Sequence, residues 1–174
     1  MDGRQPVRTW VRSVCALGLS FGPCAGAAQP AVAPHEPSTP HERLAFFEGT
    51  WTTEPPMAAD FREICSWLPH GRRHMVCRSS WLVGTAPREA MSVFSYDASN
   101  GTYLYHGLRP GGAVATQRAT VADGVWTFDT GPTGPRTRVT VTPTATGFTF
   151  VEEAADGQGA WVERGRVQYR RLPR

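Results

Sequence analysis

Most of this chain alternates between apolar and polar residues with a period of two, which is typical of half-buried β-strands. Beyond residue 49 the alternation divides into about ten short runs separated by turn residues, such as Asp123-Gly124 between Val121 and Val125. Asp-Gly between two alternating runs is a strong signal for a β-hairpin. The predicted strands cover residues 50–54, 60–68, 73–83, 89–97, 102–108, 113–121, 125–130, 136–142, 147–154 and 160–171.

One short segment, residues 40–49, has helical spacing instead. It ends at Gly49, and its apolar residues Leu44 and Phe47 fall on one face at positions i and i+3. We therefore predict one or two helical turns before the first strand. The apolar face of this segment can plug an apolar space elsewhere in the fold.

The series of strands predicts an all-β fold with an antiparallel, up-and-down order. A long antiparallel meander protects its edge strands most completely when it closes into a barrel. We therefore expect a barrel of about 8–10 strands that follows a short N-terminal helix. A β-sandwich built from the same strands is the competing architecture.

The first forty residues differ from the rest of the chain and resemble an export signal followed by a linker. Arg4, Arg8 and Arg12 precede a short apolar stretch over residues 14–21, and small residues in an A-x-A pattern end at Ala27. We expect a signal peptide over residues 1–27, a Pro-rich linker over 28–40 and the barrel domain over 41–174. The protein would then be periplasmic or extracellular, with no stable membrane insertion after cleavage; an N-terminal helix that touches the membrane is the alternative.

Charge and composition exclude several classes of function. Cleavage after residue 27 would remove three Arg and only one acid, Asp2, which lowers the net charge from +3 to +1. This near-neutral balance provides no basic surface for nucleic acid, so we expect no nucleic-acid partner. All 18 basic residues are Arg, which excludes mechanisms that need a Lys base, a Schiff base or a phosphate-binding Lys.

Two of the four cysteines, Cys65 and Cys77, lie in the predicted barrel. Cys15 and Cys24 would leave with the signal peptide. Strand pairing centred on Gly71 places Cys65 opposite Cys77, within reach of a disulfide, and exported proteins keep such bonds. We predict a Cys65–Cys77 disulfide; two buried free thiols are the alternative.

Several motifs together resemble known β-barrels. The chain has a helix followed by Gly49-Thr50-Trp51, then the segments 63–68, 92–97 and 123–128, in an order similar to an exported bacterial family of domains of unknown function. The Gly-x-Trp opening resembles that of calycin-type barrels, the superfamily of lipocalins and nitrobindin-like proteins. The resemblance implies an antiparallel barrel with an internal cavity and a structural role for Trp51 at its closed end. It implies no established activity.

Cofactor and metal sites are not expected. Nitrobindin-like proteins bind haem through a His late in the chain, and this sequence has no His after His106. We therefore expect no haem and no other cofactor. His70 and His74 are four residues apart, which on a strand separates them by about 13 Å, too far to share a metal ion.

The bulkier face of the hairpin around Gly71 is rich in aromatic residues, so we expect it to face the barrel interior. A His or Tyr on a neighbouring strand would supply the hydrogen bond that orients a ligand. The candidate ligand-binding residues are Trp67, Met75, Trp81, Met91, Tyr105 and His106.

Three functions stay open at this point. The first hypothesis is non-catalytic binding of a small, mainly apolar ligand inside the barrel. The second is a filled barrel that serves as a structural or interaction module of the cell envelope. The third, an isomerase or hydrolase at the barrel mouth, ranks last because no nucleophile and base can be assigned. An interior cavity of about 300 Å³ or more would favour the first hypothesis, and a lumen packed with aromatic residues would favour the second.

Overall fold

The computed structural model describes residues 39–55, 60–131 and 135–173. The predicted signal peptide, residues 1–27, and nearly all of the predicted linker, residues 28–40, lie outside the described residues. Those two boundaries therefore stay predictions. The part that the structure describes belongs almost entirely to the predicted barrel domain.

Ten strands follow a short helix, and each agrees with a predicted strand to within a few residues. Helix α1 covers Pro40–Arg43 and continues as a 3₁₀ turn over Leu44–Phe47. The strands are β1 Gly49–Thr53, β2 Arg62–Trp67, β3 His74–Val83, β4 Ala86–Asp97, β5 Thr102–Leu108, β6 Val114–Ala122, β7 Val125–Asp129, β8 Thr137–Pro143, β9 Gly147–Ala155 and β10 Trp161–Arg171.

The sheet closes on itself. Each strand pairs antiparallel with its neighbour in sequence, and β1 also pairs with β10, where Trp51 lies opposite Arg171. Closure gives every strand two neighbours and removes the free edges that a sandwich would keep. The predicted all-β, up-and-down antiparallel barrel is confirmed with ten strands.

The Asp123-Gly124 turn shows how local sequence sets the strand order. It joins β6 to β7 directly, with Ala122 opposite Val125. Asp123 has φ 50° and Gly124 has φ 76°, and positive φ at both central residues matches the twist of the two strands. The hairpin predicted from this dipeptide is confirmed.

Aromatic residues dominate the barrel interior. Side chains alternate between the two faces of each strand, so one face of every strand points inward. Trp51, Met75 and Trp126 are almost completely buried on that face. Phe148 stacks on Tyr169 with ring centroids 4.5 Å apart, and the two residues are directly paired on the adjacent strands β9 and β10. Much of the space inside the barrel is therefore filled by rings.

The short helix closes one end of the barrel, as its apolar face predicted. Leu44 is 0% exposed and Phe47 is 5% exposed. The Phe47 ring stacks on Phe94 of β4 at 4.7 Å and packs against Trp126 of β7 at 5.1 Å. Because β4 and β7 lie on different parts of the wall, Phe47 sits across the lumen and acts as its plug.

Polar contacts hold the plug in place. The indole nitrogen of Trp51 donates a hydrogen bond to the carbonyl oxygen of Phe47 at 2.8 Å. The guanidinium of Arg171 lies 4.3 Å from the Trp51 ring and donates to the carbonyl oxygens of Glu48 and Phe46 at 2.6 and 2.9 Å. The first and last strands thus both fasten the 3₁₀ turn, and Trp51 lies at this closed end.

Cys65 of β2 and Cys77 of β3 lie directly opposite each other, and their sulfur atoms are at disulfide distance. This is the pairing that a turn centred on Gly71 predicts. Both residues are buried on the inner face, so the bond joins two adjacent strands from inside the barrel. Free thiols, the alternative considered above, do not fit this contact.

Replacing Phe47 by Ala should lower the free energy of unfolding by about 3–5 kcal/mol, because it empties the centre of the plug. The matched control is Ile64→Ala on the outer wall, where Ile64 is 47% exposed; this change should cost about 1 kcal/mol or less. Urea unfolding followed by tryptophan fluorescence measures both. Equal losses in the two variants would show that the plug is not part of the cooperative core.

The double variant Cys65→Ala/Cys77→Ala should lose about 2–3 kcal/mol of unfolding free energy, because the disulfide restricts the unfolded chain. Adding a reductant should destabilise the wild-type protein but leave the double variant unchanged. Reduction should also add the mass of two hydrogen atoms to the intact wild-type chain. A wild-type protein whose mass and stability do not respond to reductant would contradict the bond.

Candidate functional site

A cavity of ≈ 150 Å³ lies inside the barrel. The plug residue Phe47 forms part of its wall, and the exposed Arg109, just after β5, marks where it meets solvent. Rings and a few polar side chains enclose it. The lining residues are Phe47, Glu63, Cys77, Ser92, Phe94, Tyr105, Arg109, Gln117, Phe128, Thr137, Val139, Val141, Phe148, Phe150, Glu152 and Tyr169.

The volume of the cavity lies between that of an open ligand pocket and that of a fully packed lumen. It falls below the volume of about 300 Å³ expected of a typical ligand pocket, because rings from several strands meet in the lumen. Yet the interior is not solid. A cavity of this order can hold a compact molecule of about one aromatic ring.

One of the six predicted ligand-binding residues, Tyr105, lines this cavity. Met75 is completely buried in the packed core. Trp67 and Trp81 share the inner-face parity of Met75, but Trp67 donates to Glu48 Oε2 at 3.2 Å near the plug. Trp81 packs against Phe61, with ring centroids 6.2 Å apart. These three residues shape the interior without reaching the cavity.

The sequence predicts Met91 and His106 as ligand contacts, and the structure places both on the outer wall, away from the interior cavity. Met91 pairs with Arg78 and Leu108 and lines an external groove. His106 is exposed, with Nδ1 3.2 Å from Thr116 Oγ1. Neighbouring residues on a strand point to opposite faces, so Tyr105 inside requires His106 outside, and Ser92 inside requires Met91 outside.

Glu63 of β2 is the most unusual residue in the cavity. It lies on the inner face, opposite Ser79 of β3, and Ser79 Oγ donates a hydrogen bond to Glu63 Oε1 at 2.7 Å. Burial among apolar groups raises the pKa of Glu63 above its ordinary value, and the Ser79 hydrogen bond opposes this only in part. Glu63 therefore holds its proton to a higher pH than a surface carboxyl does.

Two tyrosines face the same space. Burial raises the pKa of Tyr105 and of Tyr169, and the negative charge of Glu63 raises both further. The Glu63 carboxyl and the two phenols line the same cavity inside the barrel. The tyrosine hydroxyls stay protonated, so each can donate or accept a hydrogen bond.

The remaining polar groups complete the cavity. Ser92 and Gln117 are buried, at 7% and 8% exposure, and Ser92 is a hydrogen-bond neighbour of Tyr105. Glu152 of β9 is half-buried. A small number of hydrogen-bonding groups on a mainly aromatic wall is the usual chemistry of a binding pocket.

Among the described residues, one cluster contains side chains of the types that bind metal ions. It consists of Glu63, Cys65 and Cys77, and their ligand atoms lie within 4.8 Å of one another. The two sulfurs are bonded to each other, so neither is a thiolate that could bind a metal.

The sequence prediction missed Glu63, Gln117 and Tyr169. Glu63 carried a usable signal, because it is an acidic residue on the inner, aromatic face of the predicted Cys65–Cys77 hairpin. Gln117 and Tyr169 reach the same cavity from β6 and β10. Only closure of the barrel brings these distant strands around one space.

The raised pKa of Glu63 makes a prediction about stability and pH. Between the ordinary carboxyl pKa of 4.5 and the higher folded value, the native state binds more protons at this group than the unfolded state. The stability contributed by this group is therefore lost as pH rises through that interval. Glu63→Gln cannot ionise at this position. Its free energy of unfolding should therefore increase relative to that of wild type as pH rises through this interval.

Urea unfolding of wild type and Glu63→Gln across about pH 4 to about 8 measures this difference. The exposed Glu89 on the outer wall provides a matched control, Glu89→Gln. If the stability difference between Glu63→Gln and wild type did not change with pH, Glu63 would not be a perturbed group.

No helix among the described residues is long and apolar enough to cross a membrane. Comparison of the chain with family models, with curated proteins and with solved structures finds no match. The closed ten-stranded barrel is compatible with the calycin-type resemblance of the Gly-x-Trp opening.

Proposed function

We propose that this protein is an exported, non-catalytic barrel of calycin type that binds a small, mainly apolar ligand in its interior. The observation that carries the proposal is the ≈ 150 Å³ cavity, enclosed by aromatic rings and provided with a few hydrogen-bonding side chains. Burial of apolar ligand surface against these rings supplies affinity, and the tyrosine hydroxyls or Gln117 supply orientation.

The cavity volume defines the ligand more narrowly than the sequence did. A molecule with one ring and few substituents fills about 150 Å³, whereas a drug-sized ligand needs about 300 Å³ or more. We therefore propose a compact ligand of about one aromatic ring. Tyr105 is the contact residue common to the sequence prediction and the cavity.

Export is supported by one feature of the described residues and by one feature of the sequence. Cys65 and Cys77 are at disulfide distance, and disulfides persist in oxidising compartments outside the cytoplasm. In this proposal the basic and apolar N-terminal segment, residues 1–27, is the export signal. The functional compartment would then be the periplasm or the extracellular space.

Binding can be tested with a cavity-blocking variant. Ser92 points into the cavity, whereas Ser95 lies on the opposite face of the same strand β4. Ser92→Leu should fill the space and weaken binding of a one-ring probe, benzyl alcohol, by about tenfold or more. Ser95→Leu is the matched control and should bind like wild type. Isothermal titration measures the affinities.

Native mass spectrometry of protein purified from its own compartment would detect a retained ligand. A bound small molecule in wild type that is absent from Ser92→Leu would support the proposal. If wild type, Ser92→Leu and Ser95→Leu all fail to bind benzyl alcohol or to retain a ligand, the filled-barrel envelope module becomes the better function.

A further inference from the structure

We propose that the ligand is a small arylalkylamine, whose ammonium group pairs with Glu63 while its aromatic ring packs against the aromatic wall. This inference rests on the proposed function and names the chemical class of the ligand. It follows from the charges that line the cavity, the hydrogen bonding of Glu63 and the arrangement of rings around it.

The charges in the cavity favour a cation. Glu63 and Glu152 both line it, and Arg109, the one basic residue among the described lining residues, is exposed at the solvent side. Once Glu63 is ionised, a carboxylate ligand would meet two acidic groups at close range, which is unfavourable in a poorly solvated space. An ammonium group would instead compensate the cost of burying the Glu63 charge.

The hydrogen bonding of Glu63 leaves room for a donor. Ser79 donates to Oε1, while Oε2 has no hydrogen-bond partner among residues 39–55, 60–131 and 135–173. A carboxylate has about four lone-pair sites and an ammonium group has three N–H donors. A ligand ammonium can therefore bind Oε2 in a charge-assisted hydrogen bond without displacing Ser79.

The rings provide the second part of the recognition. Phe94, Tyr105 and Phe128 form one group, with ring centroids between 5.1 and 6.0 Å apart. A second pair of rings comes from β9 and β10, where Tyr169 stacks on Phe148 with ring centroids 4.5 Å apart. Aromatic faces attract cations, and their edges and faces also pack against a ligand ring.

The proton of Glu63 determines how binding depends on pH. In the free protein the raised pKa keeps this carboxyl protonated into a range where a surface Glu has ionised. The groups that face it are Ser79 of β3, Tyr105 of β5 and Tyr169 of β10, with Glu152 of β9 and Arg109 also on the cavity wall. Binding of the ammonium ionises Glu63, and its proton leaves to solvent.

Amine affinity should therefore increase as pH rises towards the pKa of Glu63 in the free protein and then level off. An alkylammonium keeps its charge throughout this range, since its own pKa is far higher. Proton release can be measured directly, because the heat of binding then differs between two buffers with different ionisation enthalpies.

Three one-ring probes of similar size test the charge preference: benzylamine, benzyl alcohol and benzoate. Wild type should bind benzylamine about tenfold or more tightly than benzyl alcohol, and benzoate most weakly. Glu63→Gln should remove the preference for the amine, so that this variant binds benzylamine no more tightly than benzyl alcohol. The exposed Glu89→Gln variant should behave as wild type. Isothermal titration at about pH 5 and about pH 8 measures all three ligands.

The outcomes separate the two proposals. If benzyl alcohol binds as tightly as benzylamine, or if Glu63→Gln keeps the full preference for the amine, the inference is overturned while lumenal binding stands. If none of the probes binds wild type, both proposals fail. Should Glu63→Gln not fold, the pH dependence and proton release of wild type decide: an amine affinity independent of pH, with no proton release, overturns the inference.

Discussion

Closure of the barrel between β1 and β10 is the constraint on which the rest of this structure depends. Trp51 and Arg171 pair across this junction, although 120 positions separate them in the chain. Arg171 also holds the carbonyl oxygens of Glu48 and Phe46. The same contact thus closes the sheet, covers the Trp51 ring and fixes the plug. A pairing between residues this far apart in the chain carries a large entropic cost of loop closure.

The interior follows from this closure. A barrel of ten strands would enclose a wide lumen if its inward-facing side chains were small. Here the inward positions hold Trp, Phe and Tyr, and Phe47 enters from one end. The rings fill the closed half, and the polar residues Glu63, Ser92 and Gln117 collect around the space that remains. A small cavity with a few hydrogen-bonding groups is the consequence.

Glu63 departs from what stability alone would select. An acidic side chain inside an aromatic core costs desolvation energy, which the Ser79 hydrogen bond offsets only in part. Residues that oppose stability in this way are often associated with function. If the ligand is the amine that we infer, this cost is offset when the ligand ammonium binds beside the carboxylate.

The sequence by itself determined the strands, the tight hairpins and the plug, because these depend on local alternation, turn residues and the spacing of Leu44 and Phe47. It also determined the cysteine pair, since a single hairpin register places Cys65 opposite Cys77. The cavity was decided by tertiary structure. Tyr105 and Tyr169 belong to strands far apart in the chain, and only a closed sheet brings them together with Glu63. Strand alternation alone says that Tyr105 and His106 face opposite ways; the closed barrel decides which of them points inside.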